Sequence, residues 1–300
     1  MKIKDWLNAF RLRTLPLALS SILMGIIASG IHHSLNWKVG IMAMITTLFL
    51  QILSNLANDY GDGMKGTDNA NRLGPERTIQ SGKITPYQMR VAIIVFSILS
   101  LMSGIILIWL SEMNLSEFIL FLGLGIGAIL SAVFYTIGKK SYGYSGLGDF
   151  FVFLFFGLIA VLGTFYLSTS YLSIDVVLPA MSLGFLSTAV MNLNNLRDLE
   201  NDKISGKMTI AVRLGQKGAK LYQTVLVNLA FFSLLFFVFV NQLPWQVYLS
   251  FLIYPLFLID LNKIDKTVDL KKIDPFLKKT AIKTFLLVAL FGVLAFIVNQ

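Results

Sequence analysis

The sequence predicts an all-α integral membrane protein in which nine transmembrane helices surround a central cavity, and three observations carry that prediction. Apolar residues make up 56% of the 300-residue chain and charged residues 14%, with a mean hydropathy of +0.73. A soluble globule is roughly 45–50% apolar and about a quarter charged, so this chain has no aqueous fold able to hide its surplus. Nine stretches approach the ~20 apolar residues that carry a helix across a hydrocarbon core. Finally, 24 of the 25 lysines and arginines fall in the N-terminal segment or in every second connection, the asymmetry that sets membrane orientation.

The spans are read at 15–33, 39–57, 91–110, 118–137, 149–170, 176–196, 222–241, 245–261 and 280–298. The first follows Arg11 and Arg13; with no small-residue cleavage site behind it and eight spans after it, it reads as a span rather than a signal peptide. Pro255 interrupts the eighth, where neighbouring helices can re-satisfy the backbone. The phenylalanine-rich run at 150–156 reads as lipid-facing bulk, and His32 and His33, on the outer side, receive no role. Together the spans form one transmembrane domain over residues 1–300. Only Lys38 lies opposite the basic side, so the N-terminus and the polar connections are expected in the cytoplasm and the C-terminus outside a cell membrane. The net charge of +9 is thereby spent on orientation, which argues against nucleic acid as a partner and leaves membrane lipid as the surroundings.

Cysteine is absent and histidine occurs twice. That excludes disulfide frameworks, cysteine zinc sites, iron–sulfur clusters and thiol catalysis. A metal here has to be held by oxygen, which points to a hard cation such as Mg²⁺.

Two spans run into polar motifs. The second ends in Asn55, Asn58, Asp59 and Asp62, followed by Lys65, Gly66 and Asp68. If its helix continues, Asn55, Asp59 and Asp62 share one face at i, i+4 and i+7. The sixth ends in Asn194, Asn195, Arg197, Asp198 and Asp202, where Asn195, Asp198 and Asp202 share a face at i, i+3 and i+7. Asp59 and Asp198 are 139 residues apart and Asp62 and Asp202 are 140 apart, a weak internal repeat facing one cavity. Ionisable groups at membrane depth commonly cost about a few kcal/mol each and by default suggest function. Acids converging without a counter-charge would repel, and divalent cations relieve that. Asn55, Asp59, Asp62, Asn195, Asp198 and Asp202 are therefore the candidate metal set, able to hold a diphosphate between two Mg²⁺ ions. Any one of them alone reads equally as a solvated loop residue; the two matching stripes are what single them out.

Cationic groups follow each motif. Arg72 and Arg77 come after the first, Lys207 and Arg213 after the second. Each is either a phosphate grip or an orientation charge in contact with lipid headgroups. Tyr135 and Lys139 close the fourth span as i, i+4 neighbours. Lys139 can neutralise diphosphate and Tyr135 can offer its π face to a cation, the alternative being an interfacial aromatic belt with a snorkelling lysine. Arg13 opens the first span as a cavity-lining charge or an anchor.

The paired motifs, separated by about 140 residues in a nine-span chain, resemble those of the UbiA superfamily of intramembrane aromatic prenyltransferases, over essentially the whole chain. Within it, Asn55, Asp59, Asp62, Gly66, Thr67, Asp68, Arg72, Arg77, Gln80 and Gly82, then Asn195, Asp198, Asp202, Gly206, Lys207, Thr209, Arg213 and Gly215, are most similar to the branch that prenylates 1,4-dihydroxy-2-naphthoate in menaquinone biosynthesis. The resemblance implies Mg²⁺-dependent transfer of a polyprenyl group from polyprenyl diphosphate to 1,4-dihydroxy-2-naphthoate, with loss of CO₂ and diphosphate, giving demethylmenaquinone. It further implies catalytic roles for Asp68, Arg72, Tyr135 and Lys139, and substrate binding by Arg13, Arg72, Arg77, Lys139, Asn195 and Lys207. The general superfamily pattern has a third aspartate where this chain has Gly66; Asp68 follows two residues later, as in the menaquinone branch. The alternatives are another acceptor (4-hydroxybenzoate, homogentisate or haem) or a multi-span transporter, whose binding groups normally lie near the midplane rather than at a rim.

Overall fold

In the computed structural model, which describes residues 3–69, 72–138 and 141–298, helices are the regular secondary structure of the described residues. A short α1 (Ile3–Phe10) leads through a turn into α2 (Leu15–Ile31), followed by α3 (Trp37–Met64), α4 (Pro86–Leu110) and α5 (Leu115–Phe134). The next crossing is composite: α6 (Gly148–Val152), a π-helical stretch Phe153–Ile159 and α7 (Ala160–Thr169). Then come α8 (Val177–Arg197), α9 (Leu199–Ile204), α10 (Ile210–Val240), α11 (Tyr254–Lys266) and α12 (Asp274–Val298). Eight of these segments are long and apolar enough to cross a membrane; the bent pair α1 and α2, at 53°, makes a ninth if it counts as one span.

Local chemistry sets where the helices begin. The Asn36 side chain accepts from the Val39 N–H at 3.3 Å, and Asn114 with Glu117 closes a capping box at the start of α5. Thr85 and Gln88 do the same for α4, with Pro86 in the first turn. These caps satisfy N–H groups that no intrahelical carbonyl can reach. The largest core joins α2, α7, α8, α10 and α12 through Met24, Phe165, Leu183, Leu234 and Phe291, all fully buried. A second core packs α1, α3 and α4 through Ala9, Leu53, Leu56 and Met89. A buried pair within the bundle, Lys283 to Asp260 at 2.7 Å, clamps α12 to α11.

Helix α5 buries no residue. It is tied at both ends, by the Tyr166 hydroxyl donating to Glu117 at 2.6 Å and by the Tyr142 hydroxyl donating to the Ser131 carbonyl at 2.6 Å. Between those ties Leu122, Leu124, Gly125 and Ala128 form one wall of a cavity of about 380 Å³. Its apolar part runs past Leu107, Phe121 and Leu167, and its polar mouth holds Asp62, Asp68, Asp198 and Asp202. We call that end of the bundle the motif end.

Two expectations are corrected. Pro255 does not interrupt a helix: it sits in the first turn of α11, after a 3₁₀ stretch Trp245–Ile253, where no backbone donor is needed. The phenylalanine run is not uniformly lipid-facing. Phe150 is exposed, but Phe151, Phe155 and Phe156 line the cavity and Phe153 packs on Gly184. The π-helical turns shift the register that a 3.6-residue period would impose. They occur where Gly157 meets Gly184 so closely that an added Cβ would lie 2.6 Å from the Gly184 Cα.

Candidate active site

Two polar arms meet at the cavity mouth. The first is the end of α3, which runs unbroken to Met64 and so presents Asn55, Asn58 and Asp62 to the cavity. The second is not continuous. Helix α8 ends at Arg197, Asp198 takes φ −95° and ψ 14°, and α9 begins at Leu199. The stripe that faces the cavity is nevertheless helical in spacing: Asn194, Asp198, Asn201 and Asp202 line it at i, i+4, i+7 and i+8, whereas Asn195 is not among the lining residues. Asn194 and Asn195 lie four and three residues before Asp198, so helical spacing alone does not choose between them.

The arms end alike. Gly66 and Gly206 both adopt left-handed φ, at 72° and 73°. The Thr67 N–H donates to the Asp62 carbonyl at 3.0 Å and the Lys207 N–H to the Asp202 carbonyl at 2.8 Å. This is the same helix-terminating turn twice, 140 residues apart. Carried backward, that offset pairs Asp62 with Asp202, Asn58 with Asp198 and Asn55 with Asn195. Asp59 has no acidic counterpart, and it does not line the cavity. It lies beneath Arg11, to which it is hydrogen-bonded, and 3.5 Å from Arg77 Nε. Asn58 was overlooked in the sequence, although a constant 140-residue register would have found it.

The acids are not uncompensated, as the sequence suggested; protein cations stand between them. Arg72 bridges the arms, with Nε 3.0 Å from Asp68 and a terminal nitrogen 3.3 Å from Asp198. Arg197, fully buried, holds both oxygens of Asp198 at 3.1 and 2.5 Å and reaches Asp274 at 2.5 Å. Lys207 lies 3.4 Å from Asp62. Asn201 ties the arms directly, donating to the Thr67 carbonyl at 2.8 Å. Asn55 faces the N-terminal segment, donating to the Phe10 carbonyl at 2.9 Å and to Thr14 at 3.2 Å. The side chain of Arg13 and the whole of Lys139 lie outside the described residues.

Burial and charge set the ionisation of these groups. Burial pushes the Asp202 carboxyl up to about 7, with Asp198 and Asp62 adding to it. Burial also raises Asp68 and pushes the Arg77 guanidinium down to about 9, still charged at neutral pH. Asp198 goes the other way: burial opposes its charge, but the hydrogen bonds and charge of Arg197 outweigh that and hold it below the ordinary carboxylate range. Asp62 and Asp202 likewise outweigh the burial of Lys207 and hold its ammonium above its usual range.

Among the described residues, no three His, Asp or Glu side chains converge closely enough to form a metal site by themselves. The donor chemistry nevertheless fits a hard cation. Asn58 Oδ1, Asp68 Oδ2 and Asn201 Oδ1 are buried oxygens without a hydrogen-bond partner, and all three residues line the cavity mouth beside Asp62 and Asp202. Orphaned oxygens gathered at one mouth suit oxygen-seeking Mg²⁺. Behind them stands an aromatic wall: Tyr135 to Tyr142 at 5.3 Å between centroids, Tyr142 to Phe151 at 4.2 Å and Phe151 to Phe155 at 6.2 Å.

Comparison with known proteins finds relatives across most of the chain. Residues 18–282 match the model of the UbiA prenyltransferase family. The 1,4-dihydroxy-2-naphthoate octaprenyltransferase of Haemophilus influenzae is 44% identical over 260 residues, covering 85% of this chain and 83% of its own. The enzyme of the same name from Escherichia coli is 40% identical over 300 residues, covering 100% and 97%. Among solved structures, a UbiA homologue from Aeropyrum pernix superposes with a TM-score of 0.64 at 15% identity, covering 100% of each chain. A UbiA homologue from Archaeoglobus fulgidus bound to GPP and Mg²⁺ gives 0.56 at 16% identity, covering 97% and 99%.

Proposed function

The chain belongs to the UbiA prenyltransferase family, and from the two-armed polar cradle at the mouth of its apolar cavity we propose that it transfers a polyprenyl group from polyprenyl diphosphate to 1,4-dihydroxy-2-naphthoate. The allylic C–O bond breaks and its electron pair leaves with the diphosphate. The ring carbon forms the new C–C bond, and CO₂ departs leaving its electron pair to the ring, giving demethylmenaquinone in its reduced, quinol form. The protein is an integral membrane enzyme. In our reading it is one transmembrane domain over residues 1–300 of the cell membrane, with the motif end cytoplasmic and the C-terminus outside.

The observation that carries this reading is the juxtaposition of the two arms. Asn58 and Asp62 from one and Asp198, Asn201 and Asp202 from the other, with Asp68, would hold Mg²⁺, which when bound neutralises the leaving diphosphate. Arg72, Arg77 and Lys207 line the same mouth and are placed to take phosphate oxygens as fixed donors. The apolar cavity receives the isoprenoid tail and keeps water from the allylic cation. Tyr135, Tyr142 and Phe151 present π faces to that cation.

The test is product mass spectrometry on purified protein given one prenyl donor and a panel of acceptors, with and without Mg²⁺. Prenylated, decarboxylated naphthoquinol formed only with Mg²⁺ is the expected result; product from 4-hydroxybenzoate alone overturns the acceptor assignment.

A pH dependence follows from Asp202. Its carboxyl, raised to about 7 by burial, is neutral below that pH, so a metal binding there has to displace a proton. The Mg²⁺ concentration for half-maximal activity should fall about tenfold between pH 5.5 and 6.5 and level off above neutrality. A requirement that stays flat from pH 5.5 to 8 counts against Asp202 as a ligand.

A further inference from the structure

Tyr144 sits in the 3₁₀ turn Tyr142–Ser145, carries no sequence motif and is not among the residues that line the cavity. It is nevertheless pinned on every side by the machinery of both arms. Its hydroxyl is 2.8 Å from Asp62 Oδ1 and 2.5 Å from Thr67 Oγ1. Its carbonyl accepts from the Met208 N–H at 3.0 Å, which fixes the residue next to Lys207. Its ring lies under two ammonium groups, Lys65 at 4.1 Å and Lys207 at 5.4 Å from the centroid.

The hydrogen-bond inventory fixes the direction of this chain. A carboxylate can only accept, and a phenol has one proton to give. With Lys207 facing its other oxygen, Asp62 is an acceptor, so Tyr144 donates to Oδ1. The Thr67 hydroxyl must then donate to the Tyr144 oxygen. Thr67 is itself held by the second arm through Asn201. Asp62 Oδ1 therefore carries a fixed donor while Oδ2 faces the Lys207 ammonium, so the plane of the carboxylate is set from both sides.

We infer that Tyr144 is a positioning residue: through a Thr67–Tyr144–Asp62 chain it locks the orientation in which the Asp62 carboxylate would meet a divalent metal, and it stations Lys207 beside the Oδ2 oxygen. This rests on the metal-binding reading of the site given above. A donor behind a metal-binding carboxylate sets its rotamer and basicity, and removing such a partner typically costs about 10–100-fold in metal affinity.

The experiment titrates Mn²⁺ into the purified full chain in detergent and counts free ion by electron paramagnetic resonance, for wild type, Tyr144→Phe, Thr67→Val and Asp62→Asn. Phenylalanine keeps the ring beneath both lysines and leaves the backbone bond to Met208 intact, and the melting temperature checks the fold. Tyr144→Phe should weaken Mn²⁺ binding about 10–100-fold, and Thr67→Val should shift it in the same direction by less. In turnover assays Tyr144→Phe should raise the Mg²⁺ requirement while leaving the KM for the aromatic acceptor unchanged, a split that general loosening of the fold would not produce. If Asp62→Asn abolishes binding but Tyr144→Phe binds like wild type, the Tyr144 assignment fails alone. Wild-type binding that is absent, or untouched by Asp62→Asn, overturns the metal reading and this inference with it.

Discussion

Replacing Asp62 by alanine is expected to lower kcat for prenyl transfer by about 10²–10³-fold, the loss seen when a preorganised electrostatic group is removed from a reacting centre, while the protein remains folded. Asp62 sits at the cavity mouth, its Oδ2 is met only by Lys207 at 3.4 Å, and it lies at the end of a helix anchored by the buried Leu53 and Leu56. Its carboxylate makes no apolar packing contact of α3 but does accept from Tyr144 and face Lys207, so Asp62→Asn is measured beside Asp62→Ala to separate lost charge from lost stability. Asp59, three residues earlier, should behave differently. It lies behind the cavity lining and neutralises Arg11 and Arg77, which reach the cavity, so Asp59→Ala leaves the buried Arg77 and the half-buried Arg11 without their shared anion. Breaking a buried pair typically costs about 3–5 kcal/mol, and the variant should show a depressed melting temperature together with its loss of activity. Kinetics and thermal unfolding of both variants decide it. Turnover of Asp62→Ala within a few-fold of wild type would remove Asp62 from the reacting site, and an Asp59→Ala protein that melts normally yet has lost its metal response would return Asp59 to the metal set.

That contrast marks how far the sequence could be read. The class of fold was legible because hydrophobic runs near bilayer length and lysine and arginine asymmetry are one-dimensional signals. The mouth of the cavity was legible as well, since acids at the ends of two spans are expensive and therefore informative. The pairing of acids with cations was not. Arg72 with Asp68 and Arg197 with Asp198 are near neighbours in sequence, but only the packed bundle brings Arg11 and Arg77 onto Asp59 and Arg72 onto Asp198. Helix periodicity alone chose Asn195 and Asp59; it could not tell Asn195 from Asn194, which lines the cavity, because both lie within about one turn of Asp198. Residues 58 and 59 likewise both lie within about one turn of Asp62, so period arithmetic could not tell which of them lines the cavity. The matching turns at Gly66 and Gly206 could have done so, since a left-handed glycine after each arm fixes the register of the repeat at 140. Tyr144 left no trace in the sequence, because its role consists of contacts to residues 62, 67, 207 and 208 that chain order does not suggest.

The second large effect is expected at Arg197. This guanidinium is 0% exposed, and all three of its nitrogens are engaged: Nε with Asp198, one terminal nitrogen with Asp274, the other with Asp198 and Asn194. It joins the second arm to the first turn of α12, and the loop after the first arm closes over it, for a Cβ at Gly74 would lie 2.6 Å from its terminal nitrogen. Arg197→Met keeps much of the volume but leaves Asp198 buried with only the partial attention of Arg72 at 3.3 Å. The expected cost is about 3–5 kcal/mol, a fall in melting temperature on the order of 10 °C for a chain of this size. Arg197→Lys should recover little of it, since a single ammonium cannot reproduce a fork that grips both Asp198 oxygens while reaching Asp274. Gly74→Ala should shift stability in the same direction by a smaller amount, because it presses on the same guanidinium from the other side. Differential scanning of the three variants in detergent tests the set. If Arg197→Met melts within about 2 °C of wild type, the argument that this arginine holds Asp198 in place is wrong, and Asp198 must be oriented by Arg72 alone.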